Sequence, residues 1–170
     1  LQTAWGPFYL SIFKEKDATQ TYNLVLILYA LVMGVLALLL IIFSKPLLYL
    51  LSGEEYLGAA IAVYPLVIGI IFQNLNSILG IGIDLSKKSY LKIISYFISL
   101  IITVFFIRIF VQSLGILGIG IGVLIGYIAQ SIIEAFLSYK VYKIEFNFFD
   151  VTLIFLSLLV ATGVLFVADQ

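Results

Sequence analysis

The sequence contains no cysteine and no histidine. The first absence rules out disulfides, thiolate nucleophiles and cysteine-based zinc sites; the second removes the side chain most used for proton transfer near neutral pH. Charge is scarce too, at 11 % of residues against roughly 25 % in soluble globular domains. Its nine basic and nine acidic side chains cancel, so no net field exists to attract nucleic acid or acidic partners. No charged leader precedes the first apolar residues, and the chain opens on Leu1 rather than methionine. It therefore reads as a portion of a longer polytopic protein without a visible secretory signal. What is abundant is apolar surface: 64 % of residues, with a mean hydropathy of +1.23.

Long uncharged runs organise that surface. About 20 apolar residues at ~1.5 Å each cover the hydrocarbon of a bilayer, and five runs meet or approach that length. The fold expected is all-α: a polytopic membrane helix bundle forming one transmembrane domain over residues 1–170. Residues 1–13 read as the tail of a span, kinked at Gly6-Pro7, with Trp5, Phe8 and Tyr9 in the interfacial aromatic belt. Complete spans follow at about 23–43 (A), 56–83 (B), 91–111 (C), 114–139 (D) and 149–168 (E). Asp17 or Thr19 can cap A. Pro46 opens a short amphipathic piece over 47–51, Ser52 and Glu55 form an S-x-x-E capping box for B, and Tyr64-Pro65 predicts a bend in B. Short connections make neighbouring spans antiparallel.

The basic residues set the orientation. Lys14, Lys16, Lys87, Lys88, Lys92, Lys140 and Lys143 fall in alternate loops, against only Lys45 and Arg108 on the other side. By the positive-inside rule, 14–17, 84–92 and 140–148 are cytoplasmic, and 44–55 and 109–113 external.

Span B carries the most informative polar residues. Gly69, Gln73, Asn76 with Ser77, Gly80 and Asp84 recur every three or four residues and so share a helix face. Two readings fit: the polar wall of a translocation cavity, or interhelical glue, worth about 0.6–2 kcal/mol per amide. Asp84 sits at the rim near Lys87 and Lys88, which suggests a solvated ion pair, the alternative being coupling to a proton or cation. On span D, Gly118, Gly122 and Gly126 make overlapping G-x-x-x-G steps suited to a tight helix crossing. That line winds about 40° per step and continues through Gln130 to Glu134. Glu134 lies near Lys140, as a static interfacial pair or, with Asp84 and the B–C lysines, as a cytoplasmic gate. Arg108 is placed to snorkel to the headgroups, with binding of an anionic pyrophosphate as the alternative. Ser95, Ser99 and Thr103 line one side of C and suggest interhelical hydrogen bonds. Gly118-Ile119-Gly120-Ile121-Gly122 mimics a dinucleotide loop but lacks any βαβ context. No metal site and no cofactor is expected.

Several segments together resemble a known family. Ala4-Trp5-Gly6-Pro7-Phe8, then Lys14-Glu15-Lys16-Asp17-Ala18 and Thr21-Tyr22, is similar to the A-W-x-P-F…K-x-K-D-A…T-Y pattern of polysaccharide transporters. These are the O-antigen and capsule flippases of the multidrug/oligosaccharidyl-lipid/polysaccharide exporter superfamily, with its MATE-like fold. Leu50 to Ala60 with Tyr64-Pro65-Leu66, Gly80 to Lys88, and Leu114 to Gly118 continue the likeness. The chain departs from it at Asp84, where asparagine is common, and in lacking a proline just before Leu114. The resemblance implies two pseudo-symmetric lobes around a central cavity, this chain supplying most of the carboxy-terminal lobe.

The function expected is that of a flippase, not an enzyme, in the plasma or inner membrane. It would carry a lipid-linked oligosaccharide of the polyprenyl-pyrophosphate type by alternating access, with membrane lipids, an amino-terminal lobe and no nucleic acid as its partners. Gln73, Asn76 and Ser77 would line the cavity. A cation-coupled multidrug exporter of the same superfamily is the rival, and a carboxylate in the middle of a span would favour it; none is expected here. A membrane-embedded polysaccharide polymerase would need acid–base or metal-binding residues in a sizeable outer loop, and both outer loops are short.

Overall fold

A computed structural model describes the backbone of residues 2–168 and the side chains of residues 6–164. Among these residues the chain is 88 % helix with no strand. The helices are α1 (Gln2–Ile12), α2 (Ala18–Ile42), α3 (Ser44–Ser52), α4 (Ala60–Leu79), α5 (Ile81–Leu85), α6 (Tyr90–Leu114), α7 (Ile116–Val141) and α8 (Phe148–Ala168), with a 3-10 helix at Glu54–Ala59. Four stretches are long and apolar enough to cross a membrane: Ala18–Ile42, Glu54–Leu85, Tyr90–Leu114 and Ile116–Val141. The fifth expected span is α8, a shorter apolar helix over Phe148–Val164. Apolar side chains such as Phe97, Ile101 and Phe105 on α6 stand more than half exposed. Water would not tolerate so broad an apolar surface, but lipid tails would. The molecule is an all-helical bundle of the kind a membrane can accommodate.

Small residues decide how the bundle packs. A Cβ on Gly118 would strike the Phe110 carbonyl, one on Gly122 would lie 2.5 Å from Ile107, and one on Gly126 would overlap the Thr103 hydroxyl. The glycine line therefore holds α6 along its whole length instead of winding away from it. The reason is geometric: rows of residues four apart are inclined to their own helix axis, and a crossing helix can follow that incline. Gly115, at φ +57°, makes the one-residue turn between α6 and α7, a conformation that side-chain-bearing residues rarely adopt. The other face of α7 meets α4, where the Ser131 hydroxyl donates to the Phe72 carbonyl at 3.1 Å. Beyond α4 come α2 and α8, with Leu158 packed on Gly34 and Phe155 stacked on Phe72 at 4.2 Å.

Local capping differs from expectation in three places. Ser52 ends α3, and Gly53 at φ +86° separates it from Glu55, so the capping box does not form; the span opens as a 3-10 helix with no side-chain cap. Asp17 stands at the start of α2, but its side chain makes no capping bond; its carbonyl accepts the ordinary helical bond from the Thr21 amide and another from the Thr21 hydroxyl. The helices α1 and α4 continue through Pro7 and Pro65, and span B is interrupted at Gly80. Trp5, expected in the aromatic belt, lies outside the described side chains.

The three lysine-bearing loops gather at one end. The Asn23 amide donates to the Glu145 carbonyl at 3.0 Å and its oxygen accepts from the Asn147 amide at 2.7 Å. The Gly82 amide donates to Ser138 Oγ at 2.9 Å. Lys88 and Lys143 thus emerge on the same side, as the alternation of basic residues requires.

Candidate polar cavity

Gln73, Asn76 and Ser77 lie on one face of α4, and a cavity of about 290 Å³ opens in front of them. Gly6 and Tyr9 of α1, Lys92 and Tyr96 of α6 and Glu134 of α7 complete the wall together with Asp84. Five helices thus converge on one polar space inside a bundle that is mostly apolar. The side chain of Asn74 turns away and donates to the Ile70 carbonyl at 2.9 Å. Gly69 is on the α7 side, against Tyr127 and Leu124.

The break at Gly80 is what lets the charges meet. With α4 ending at Leu79 and α5 restarting at Ile81, Gly80 presents a bare edge to the cluster. A Cβ there would lie 2.9 Å from Lys92 Cε and 3.1 Å from Glu134 Oε2. Lys92 Nζ donates to Asp84 Oδ2 at 2.7 Å, both side chains about a quarter exposed. Tyr9 lines the same cavity as Asp84 and interacts with it electrostatically. Asp84 therefore pairs with Lys92 and not with Lys87 or Lys88, because α5 ends at Leu85 and both of those lysines point outward from the turn.

Glu134 also departs from expectation. It is 1 % exposed, seven residues and about 10 Å inside the end of α7, and does not sit at the surface beside Lys140. Its Oε1 accepts from Ser95 Oγ at 2.9 Å and from Gln130 Nε2 at 3.0 Å. A buried carboxylate needs such donors, since desolvation without them costs several kcal/mol. Ser95 is the only member of the α6 hydroxyl line seen bonding across helices; Ser99 and Thr103 donate to their own backbone. Arg108 is exposed and far along α6 from the cavity. The structure brings Gln73, Asn76, Ser77, Asp84 and Glu134 together and leaves out Arg108, Lys87 and Lys88.

Asn76 is the unusual residue. It is 3 % exposed, and among the described residues neither its Nδ2 nor its Oδ1 has a hydrogen-bond partner. Buried amides are nearly always paired, and leaving one unpaired costs about 1–3 kcal/mol. It lines the cavity, a polar space large enough to hold water or a ligand.

Lys92, Ser95, Gln130, Tyr9 and Tyr96 were not marked as site residues by sequence reasoning. Lys92, Ser95 and Tyr96 are spaced i, i+3, i+4 and so share a face, which was the legible signal. Tyr9 carried none, because its role depends on how α1 docks. Compared with known proteins, the chain matches no family model, no curated protein and no solved structure.

Proposed function

We propose that this chain is part of a membrane transporter, a flippase that moves a lipid-linked oligosaccharide across the bilayer by alternating access. The observation that carries the reading is the unpaired, buried carboxamide of Asn76 facing a polar cavity among membrane-crossing helices. Helix glue alone would have paired that amide with a neighbour. A carrier instead needs groups that replace water around sugar hydroxyls for part of its cycle, while a prenyl tail stays in lipid. The fold is then one lobe of a two-lobed, MATE-like assembly, with lysine-rich loops in the cytoplasm and no bond-making chemistry. The polyprenyl pyrophosphate is met outside this cavity, because Lys92 is already engaged by Asp84.

The double variant Gln73→Leu with Asn76→Leu tests this in cells. Surface polysaccharide is lost while membrane insertion and protein level stay normal; wild-type polysaccharide in that variant overturns the assignment of the cavity wall.

One observation favours a second reading, a cation-coupled multidrug exporter of the same superfamily. Glu134 is a fully buried carboxylate with neutral hydrogen-bond donors, a type of group that proton or cation relays use in membranes. Efflux of an organic cation from vesicles that is abolished by Glu134→Gln, with polysaccharide export intact, would establish that reading instead.

A further inference from the structure

The balance of charge in the polar cavity points to the chemistry of its ligand. Two carboxylates, Asp84 and Glu134, face it, and a single cation, Lys92, is bound to one of them at 2.7 Å. Glu134 takes both of its observed hydrogen bonds on Oε1, while Oε2 is directed at the bare edge of Gly80. A phosphate would find no free cation in this lining, because Lys92 is held by Asp84, and Arg108 is too far along α6 to help. A ligand bearing an ammonium group would meet the Glu134 carboxyl, the Asn76 oxygen that has no partner among the described residues, and the side chains of Tyr9 and Tyr96 in the same lining. An ammonium has three donors and no acceptor, which suits a wall rich in acceptors. The remaining Asn76 Nδ2, with Gln73 and Ser77, suits hydroxyls. The space, about 290 Å³, has room for a sugar ring.

We propose that this cavity binds an amino sugar, recognising its free ammonium group through Glu134 and Asn76 and its hydroxyls through Gln73 and Ser77. The proposal rests on the flippase reading and names its cargo: a glycan carrying an unacetylated amine.

The test is equilibrium binding to the full chain purified in detergent, read as the shift in unfolding temperature. The probes are glucosamine, N-acetylglucosamine and sodium chloride at matched ionic strength. Saturable stabilisation by glucosamine is expected at concentrations at least tenfold below those at which the other two act. Asn76→Leu and Glu134→Gln, eluting as folded protein, each lose that response. Equal stabilisation by N-acetylglucosamine removes the role of the amine, equal stabilisation by sodium makes the cavity an inorganic cation site, and no response to any probe shows that the amine is not bound; each overturns the proposal. None of these outcomes touches the flippase reading, which stands or falls on export of polysaccharide by the Gln73→Leu, Asn76→Leu variant.

Discussion

Helix α4 divides two cavities of comparable size and opposite character. Gln73, Asn76 and Ser77 look into the polar one, about 290 Å³. Phe72, Leu75 and Leu79, interleaved with them in sequence, look into one of about 400 Å³ walled by apolar residues of α2, α7 and α8. The dry side is held by shape, with Phe72 stacked on Phe155 and Leu26 wholly buried. The wet side is held by directed bonds from Ser95, Gln130 and Lys92. Inside a bilayer there is little hydrophobic drive between helices, because lipid is as apolar as leucine. Apolar residues there can therefore be exchanged cheaply, whereas a polar side chain must find its bond or face water.

Substitutions that move a group across this divide test it, and unfolding in detergent reads their effects. The largest effect is expected from Leu75→Asn, which puts an amide at a 2 % exposed site on the dry side and should destabilise the fold by about 3 kcal/mol. Next comes Ser95→Ala, which takes one of two donors from Glu134 Oε1 and should cost about 1.5–3 kcal/mol. Asn76→Leu has the opposite sign: removing an amide without a partner should raise stability by about 1 kcal/mol while export falls, the pattern of a group kept for function. The smallest effect belongs to Ala135→Leu, which adds carbons beside the apolar cavity and should stabilise by about 0.5 kcal/mol. A destabilised Asn76→Leu, or a neutral Leu75→Asn, would erase the distinction between the two sides.

Much of this was legible along the chain because it depends on local spacing. The spans followed from uncharged runs, a tight crossing of α7 with some other helix from Gly118, Gly122 and Gly126, and the shared face of Gln73, Asn76 and Ser77 from helical period. What was hidden depends on tertiary contact. Asp84 has three lysines within eight residues, and only the break at Gly80 and the entry of α6 select Lys92. Glu134 reads as a rim residue on α7 alone; Ser95, thirty-nine positions earlier, is what makes its burial tolerable. Ser52 and Glu55 fit a capping box in sequence, yet Gly53 turns the chain between them.

The most direct measurement exploits the absence of cysteine. Single Gln73→Cys, Ser77→Cys, Leu75→Cys and Leu79→Cys variants in membranes can be probed with a charged, membrane-impermeant thiol reagent, with no other cysteine among these 170 residues to label. A wet cavity in front of Asn76 predicts modification at 73 and 77 and protection at 75 and 79. Protection at all four positions, or equal labelling at all four, would contradict it.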